Sequence, residues 1–416
     1  MLVKARIALL LILCTLASSE NTIQLAINKR IKKLNHYLKR KNIYQTQLFN
    51  NDGSEYLINI GVGTPVQNFI VSLDTGSSDL WIPSTQCPTQ DCPHSKFDAS
   101  KSSTFRAVDN TQPFYIEYGI GSVNGSYARD SVHLGGAHIA QQLFGLATST
   151  RDIILPYSSP SNGIFGLGYP ALTTGNKNYQ PFVFQLAERG LIEKPVFSIS
   201  MGSMIETGWS GEILLGGINQ DKYVGKLVYE PVLSGESGNT TYWMVGSDSI
   251  QVRRDHTRDQ NLVYSNTFSH ARGLIIDTGT TLTYMDHEMA EAIVHRVAYG
   301  SVLFDSKSGV YIVDCRTGVD PSRSYSVHFT LSQSQTKLSI PVRDLVLPIG
   351  DGLCMFGIAP WMNTGNSAKM KEKGWILVGD SVLRSSYLVF DMKQHQIGFA
   401  KVCASKMSIN HLSYMQ

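Results

Sequence analysis

Two short segments of the chain carry the same carboxylate motif. Residues 73–78 read LDTGSS and residues 276–281 read IDTGTT, and an apolar stretch precedes each one. In both places the pattern predicts a buried strand that runs into a tight turn, with Asp74 or Asp277 at its tip. A single Asp-Gly pair is typical of any turn, because both residues favour turn geometry. The repetition instead indicates two loops that present one carboxylate each to a shared site.

Two carboxyl groups held close together have a defined chemistry. Because they cannot both ionise cheaply, the pair keeps one proton over a wide acidic range, and one group is then a base while the other is an acid. Such a pair can take a proton from water as it attacks a carbonyl and can donate a proton to the carbonyl oxygen. Ser77 and Thr280 lie three residues after the aspartates, and we expect them to donate hydrogen bonds to the carboxylates.

A second repeated feature indicates two similar lobes. An apolar pair followed by glycine occurs downstream of each aspartate, as Ile-Phe-Gly at residues 164–166 and as Leu-Val-Gly at residues 377–379. An apolar run that ends in glycine is typical of any strand end when it occurs once. Its presence at comparable distances after both aspartates favours two lobes of comparable construction.

These motifs resemble those of the pepsin-like aspartic proteases, the family of pepsin and cathepsin D. The resemblance covers nearly all of the chain beyond residue 50. The matching segments are residues 56–81, with Gly-Val-Gly-Thr-Pro at 61–65, then Phe97, 102–105, 114–125, Tyr242-Trp243 and 375–391. The sharing of one proton by two aspartates is an established property of this family, so the resemblance implies it for the present chain.

The resemblance implies a mostly β, bilobal fold, with two β lobes related by a pseudo-twofold axis and a cleft between them. It implies that Asp74 and Asp277 are catalytic. The residues implied to support this dyad are Ser77, Thr280, Gly76 and Gly279. The residues implied to form the flap and to bind substrate are Tyr118, Gly119, Ile120, Trp81 and Tyr242, with the Trp81 indole hydrogen-bonded to Tyr118.

The implied activity is that of an aspartic endopeptidase, which cleaves protein or peptide substrates through an activated water and needs no cofactor. A catalytically silent relative that binds peptides or acts as an inhibitor is the alternative, and the intact dyad argues against it. A metal-dependent hydrolase is a further alternative, but the sequence around Asp74 and Asp277 shows no His or acid cluster at ligand spacing, so we expect no metal.

Length and composition agree with two lobes built mainly from strands. The 416 residues include many glycines and tyrosines, and short apolar runs predominate. Helices are predicted at residues 181–190 and 290–300. We expect an N-terminal lobe at residues 44–230, carrying Asp74 and the flap, and a C-terminal lobe at residues 231–416, carrying Asp277.

The N-terminus has the features of a secretory signal peptide, which we place at residues 1–19. Lys4 and Arg6 precede an apolar stretch at residues 7–16, and small residues suited to cleavage follow. The stretch is short for a membrane helix, and residues 405–416 are polar, so no membrane anchor is expected. The predicted route is the secretory pathway, with secretion as the destination and a vacuole or lysosome as the alternative.

Residues 20–43 are predicted to be a basic propeptide. Residues 1–43 hold nine Lys or Arg and one acid, so the remaining chain has 27 basic and 32 acidic residues and a net charge of −5. A nucleic-acid patch is disfavoured, because no basic domain adjoins the segment. We expect instead a zymogen in which positive charge, including Lys39 or Lys41, covers an acidic cleft until the carboxylates protonate. Dibasic pairs at 29–30 and 39–40 offer an alternative processing route.

Five cysteines remain after the signal peptide, an odd number for a secreted protein. The resemblance implies two disulfides, Cys87 with Cys92 and Cys315 with Cys354, and leaves Cys403 unpaired or intermolecular. Zinc bound by the first pair and His94 is disfavoured by the residue spacing and the oxidising route.

Other features have narrower implications. Asn124 and Asn239 begin glycosylation sequons. The Gly-Val-Gly at residues 61–63 lacks the third glycine and the strand-helix-strand unit of a dinucleotide loop. Residues 234–266, with their charged run, are predicted to be an exposed insertion. The enzyme is expected to be a monomer.

Overall fold

The computed structural model describes residues 42–51, 54–108, 113–119, 121–154, 159–173, 179–202, 208–235, 238–255, 261–362 and 365–403. The predictions for the signal peptide and, apart from its last two residues, the basic propeptide therefore lie outside the described residues. So does the prediction for Ile120 in the flap.

Strands dominate the first half of the described chain, as composition and resemblance predicted. They are β1 Tyr44–Asn51, β2 Glu55–Val62, β3 Gln67–Asp74, β4 Leu80–Pro83, β5 Arg106–Ala107, β6 Phe114–Glu117, β7 Ser122–Leu134, β8 Ala137–Arg151, β9 Ile164–Gly166, β10 Val196–Ser200, β11 Gly208–Leu215 and β12 Tyr223–Pro231.

The second half is also mostly strand. Its strands are β13 Met244–Arg254, β14 Leu262–Ile276, β15 Thr283–Met285, β16 Leu303–Asp305, β17 Val310–Asp314, β18 Tyr325–Leu331, β19 Lys337–Pro341, β20 Val346–Gly350, β21 Leu353–Phe356, β22 Ile358–Pro360, β23 Ile376–Val378, β24 Ser386–Asp391 and β25 Gln396–Val402.

The helices are short. The α-helices of the described chain are α1 Phe182–Glu188, α2 His287–Val297, α3 Arg316–Val319, α4 Gly365–Glu372 and α5 Asp380–Leu383, with 3-10 turns at Ala99–Lys101, Pro170–Leu172, Gln220–Lys222, Pro321–Arg323 and Val342–Leu345. Both helices predicted from periodicity are present as α1 and α2. The stripe predicted for α2 is buried, because an amphipathic helix turns its apolar side towards the core.

The same strand arrangement occurs around each Asp-Thr-Gly turn. In the first half β3 runs parallel to β9, β9 is antiparallel to β4, and β4 runs parallel to β8. In the second half β14 runs parallel to β23, β23 is antiparallel to β15, and β15 runs parallel to β22. The downstream apolar-Gly segments are β9 and the strand end at β23, so they lie directly beside the strands that carry the two aspartates. This repetition, with its mostly β content, is the bilobal pepsin-like architecture.

Strands from both halves meet in one shared sheet. Its order is β12-β25-β24-β10-β11-β1, and it continues through β2 and β3 into the first half. The pairs β10 with β24 and β12 with β25 join residues on either side of the expected lobe boundary near residue 230. The chain therefore ties its two halves together by backbone hydrogen bonds as well as by packing.

The prediction of an exposed insertion at residues 234–266 is wrong for most of that segment. β13 lies between β14 and β18 in a seven-stranded sheet, and the Ile250 and Val252 side chains are completely buried. Alternation of apolar and polar residues marks this strand, but the charged run that follows it obscured the pattern.

Two disulfides join the cysteines that the resemblance paired, Cys87 with Cys92 and Cys315 with Cys354. Because both sulfurs of the first pair are used in this bond, they do not serve as zinc ligands. Cys403 is half-buried and directly follows β25. Within the described residues, no helix has both the length and the apolar character that a bilayer crossing requires.

Candidate active site

Asp74 and Asp277 occupy equivalent turns. Asp74 is the last residue of β3, Asp277 directly follows β14, and their exposed fractions are 6% and 7%. The backbone N–H of Gly76 donates to Asp74 Oδ1 at 2.7 Å, and that of Gly279 donates to Asp277 Oδ1 at 2.8 Å. Each turn therefore fixes its own carboxylate through the amide two residues further on.

A hydroxyl group holds the second oxygen of each carboxylate. Ser77 Oγ donates to Asp74 Oδ2, and Thr280 Oγ1 donates to Asp277 Oδ2 at 2.7 Å. These are the residues that lie three positions after each aspartate in the sequence. With both oxygens held, neither carboxylate can rotate without breaking a hydrogen bond.

The two carboxyl groups face each other across the halves of the molecule. A Cβ atom added to Gly76 would lie 2.5 Å from Asp277 Oδ1, and one added to Gly279 would lie 2.4 Å from Asp74 Oδ1. Any side chain at either position would therefore overlap the carboxylate of the other half. Glycine is required here for close approach, which the turn alone would not have demanded.

Two threonines, Thr75 and Thr278, join the turns, and we call their four hydrogen bonds the threonine lock. The N–H of Thr75 donates to Thr278 Oγ1 at 3.1 Å, and the N–H of Thr278 donates to Thr75 Oγ1 at 3.0 Å. Their hydroxyls in turn donate across the halves, from Thr75 to the carbonyl of Ile276 at 2.7 Å and from Thr278 to that of Leu73 at 2.8 Å. Four buried hydrogen bonds thus set the separation of the carboxylates.

The electrostatics of the site favour retention of a proton. The pKa of Asp74 is raised well above its usual value, chiefly by burial and then by the charge of Asp277 and a hydrogen bond between the two carboxyls. The hydrogen bonds from Ser77 and Gly76 oppose this shift but do not cancel it. Because two carboxyl groups this close cannot both ionise cheaply, one proton is shared by the pair.

A further buried acid lies beneath the site. The side chain of Asp380, at the start of α5, is 1% exposed, and among the described residues neither of its carboxyl oxygens has a hydrogen-bond partner. Burial raises the pKa of Asp380 well above its usual value, against the favourable charge of Arg384. The backbone N–H of Asp380 donates to the carbonyl of Thr280 at 2.8 Å, which connects α5 to the second turn.

The flap hairpin lies over the first turn. Tyr118 stands between β6 and β7, and its N–H donates to the carbonyl of Gly121 at 2.8 Å. Trp81 Nε1 donates to Tyr118 Oη at 2.9 Å. Burial and the charges of Asp74 and Asp79 raise the pKa of Tyr118 well above its usual value. The flap phenol therefore lies within the field of Asp74.

The remaining predicted residues occupy different places. Gly119 at the flap tip is exposed and has no atom within 4 Å of an added Cβ. Tyr242 packs edge-on against Trp375 at 6.1 Å between ring centroids. Burial, followed by the charges of Asp277 and Asp74, raises the pKa of Tyr242, so its phenol lies close to the pair.

The two sequon asparagines, Asn124 on β7 and Asn239 before β13, are exposed. Their use for glycosylation stays a prediction.

Sequence reasoning missed several residues of the site. Thr75 and Thr278 stand inside the repeated triplet, so the repetition itself was a signal for a second, structural role. Asp79 and Asp380 gave no signal, because the burial of an acid is set by its neighbours in the fold. Within the parts of the chain that the structure describes, no group of three or more His, Cys, Asp or Glu side chains could hold a metal ion.

Comparison with known proteins agrees with this geometry. The eukaryotic aspartyl protease family model matches residues 55–402. Rabbit (Oryctolagus cuniculus) gastricsin is 33% identical over 350 residues, which cover 83% of this chain and 81% of the relative. Vacuolar protease A of Arthroderma otae is 32% identical over 349 residues, covering 84% and 78%, and human gastricsin is 31% identical over 350 residues, covering 83% and 81%. The chain therefore belongs to the eukaryotic aspartyl protease family and is an aspartic endopeptidase.

Proposed function

We propose that Asp74 and Asp277 are the catalytic dyad and that the enzyme hydrolyses peptide bonds by general acid and base catalysis. The observation that carries this proposal is the mutual approach of the two carboxyls, each filling the space that a glycine leaves open in the other half. Two acids fixed in this way can hold one water between them.

In the proposed mechanism the ionised member of the dyad removes a proton from the water as it attacks the peptide carbonyl. The protonated member donates to the carbonyl oxygen, and no covalent intermediate forms. The threonine lock keeps the two carboxylates at a fixed distance during this proton exchange. Its four hydrogen bonds come from backbone and hydroxyl groups, which do not titrate.

The substrate is proposed to bind as an extended strand beneath the flap. Tyr118, held by the Trp81 indole, closes the site on one side, and Tyr242 lies near the dyad on the other. Backbone hydrogen bonds supply affinity in this mode, and side-chain pockets supply specificity. Closure of the flap excludes water from the reaction.

Acid activity follows from the electrostatics. Since the pKa of Asp74 is raised, the dyad keeps its shared proton to a higher pH than an isolated aspartate would and loses it as the pH rises further. The general acid is then missing, so hydrolysis stops at high pH.

We also propose synthesis as a zymogen. The basic segment 20–43 precedes β1, and β1 pairs with β11 inside the shared sheet, which supports a start of the enzyme body near residue 44. The proposed lobes are residues 44–230 and 231–416. Lys39 or Lys41 would pair with the dyad at neutral pH and release it when the carboxylates protonate. An incubation of the precursor across a pH series tests this route, and self-cleavage at neutral pH that persists in Asp74→Asn would contradict it.

The proposed route is the secretory pathway, after removal of residues 1–19. The disulfides fit an oxidising compartment. Secretion is the proposed destination, and the similarity to a protein named vacuolar protease A supports a vacuole as the alternative.

The decisive experiment is digestion of an unfolded protein at about pH 3 to 6, the range in which such a dyad holds one proton. We expect Asp74→Asn and Asp277→Asn each to lower kcat/KM by about 10³-fold or more, and a statine-type inhibitor to abolish wild-type activity. Asp221→Asn, at an exposed position, is the matched control and should behave as wild type. Cleavage that survives the inhibitor, or that Asp277→Asn retains, would contradict the proposal.

A further inference from the structure

Behind the flap, Asp79 is a buried acid that the proposed chemistry does not use. It lies between the first Asp-Thr-Gly turn and β4, and its exposed fraction is 2%. Tyr127 Oη and Thr173 Oγ1 both donate to Asp79 Oδ1, each at 3.0 Å. The backbone carbonyl of Asp79 accepts from the N–H of Gly166, which joins the residue to β9 as well.

The groups that face Asp79 are mainly phenols. Tyr127 approaches from β7, Tyr179 from the segment that precedes α1, and Tyr118 from the flap, and the Tyr127 and Tyr179 rings lie 6.3 Å apart. The charge of Asp79 raises the pKa of both Tyr118 and Tyr179, so both phenols lie within its field. Asp74 is the nearby acid on the same loop.

Asp79 is linked to the flap by its chain neighbours. The N–H of Leu80 donates to Tyr179 Oη at 2.6 Å, and the next residue, Trp81, holds the flap phenol. Tyr127 belongs to β7, the strand that leads away from the flap tip. Asp79 therefore adjoins Trp81, which holds the flap phenol, and contacts β7, the strand that leads away from the flap.

Ionisation of Asp79 changes the charge of this buried site. Burial raises the pKa of Asp79 to about 6, with the hydrogen bonds from Thr173 and Tyr127 opposing the shift. Below that pH the carboxyl is neutral and its Oδ1 still accepts from both hydroxyls. Above it, a negative charge is buried among phenols, and a buried charge that hydroxyls alone stabilise tends to draw in water.

We propose that Asp79 is a positioning residue: its neutral form keeps Trp81 and the Tyr118 flap packed for peptide binding, and its ionisation loosens them. This inference rests on the proposed function, because it concerns the same flap and dyad. It gives the enzyme a second, independent cause of inactivation as the pH rises. Loss of the dyad proton removes the chemistry, whereas ionisation of Asp79 weakens substrate binding.

The test is the slope of kcat/KM against pH for a quenched fluorescent peptide with Phe-Phe at the scissile bond. In the wild-type enzyme two protons are lost, so kcat/KM should fall more steeply than 10-fold per pH unit as the pH rises through 6, with about 100-fold per unit as the limit. In Asp79→Asn, which is always neutral, the fall should be about 10-fold per unit. The additional wild-type loss should appear as a rise in KM. Far-UV circular dichroism at each pH corrects for unfolded enzyme.

Tyr127→Phe provides the second variant, since it removes one hydrogen bond that favours the ionised carboxylate. Without this hydrogen bond the pKa of Asp79 rises further, so the increase in KM should begin at a higher pH than in the wild type. General structural damage would not produce such a shift. Two results would overturn the inference while leaving the proposed dyad intact. One is an equal slope of kcat/KM against pH in wild type and Asp79→Asn, and the other is an increase in KM at the same pH in wild type and Tyr127→Phe. A wild-type enzyme that cleaves nothing would instead overturn the proposed function and this inference with it.

Discussion

Thr75→Val tests whether the threonine lock holds the two halves together. Valine matches threonine in shape but lacks the hydroxyl, which donates to the carbonyl of Ile276 and accepts from the N–H of Thr278. Both of those backbone groups lose this buried partner. At about 1 to 3 kcal/mol for each buried group left unsatisfied, we expect the free energy of unfolding to fall by about 2 to 6 kcal/mol.

The assay is urea unfolding in an Asp277→Asn background, which prevents self-digestion, together with a count of inhibitor-binding sites in the active background. Thr75→Ser is the control, because it keeps the hydroxyl and removes one methyl group, for which we expect a loss of about 1 kcal/mol. Binding sites should decline in Thr75→Val and not in Thr75→Ser. If the two variants prove equally stable, the bonds across the halves contribute nothing and the reasoning fails.

Three further outcomes follow. Gly76→Ala should lower kcat/KM by at least about 10²-fold, because the new Cβ would lie 2.5 Å from an Asp277 carboxylate oxygen. Undiminished inhibitor binding by this variant would show that the added Cβ does not displace the carboxylate. Because the pKa of Asp79 is raised to about 6 from 3.8, the contribution of this carboxyl to native stability is fully present below pH 3.8 and is lost as the pH rises through 6. Between pH 3 and 7 the wild type should therefore lose about 3 kcal/mol more than Asp79→Asn in urea unfolding. Replacement of Cys315 and Cys354 by serine should lower the free energy of unfolding by about 4 kcal/mol, since their 39-residue separation closes a long loop, and an unchanged urea midpoint would refute this.

The sequence predicted the parts of the site that depend on local pattern. The apolar strands, the turns and the hydroxyls three residues after each aspartate all follow from short-range chemistry, and duplication showed that the turns belong together. The partners of Thr75 and Thr278 could not be predicted in this way, because each lies about two hundred residues away along the chain. The raised pKa of Asp79 was equally hidden, since it results from burial that only the packed fold creates.

The segment at residues 234–266 shows how a local signal can mislead. A run of charges usually marks solvent exposure, and it outweighed the alternation that places Ile250 and Val252 in the core. β13 nevertheless pairs on both sides, with β14 and with β18. The charged residues at the end of this strand, Arg253 and Arg254, are only half-buried, so the strand combines a buried middle with a charged end.

The geometry of Asp74 and Asp277 also shows that neither half alone could hold the two carboxyls together. Each carboxylate is held by an amide and a hydroxyl of its own turn. Its position relative to the other carboxylate is set by the threonine lock and by the space that Gly76 and Gly279 leave because they have no side chain. The contacts that join the two turns are therefore the same contacts that set the distance between the acids. A substitution that separates the turns must then reduce stability and activity together, whereas one confined to the acids, such as Asp74→Asn, should reduce activity and leave the halves joined.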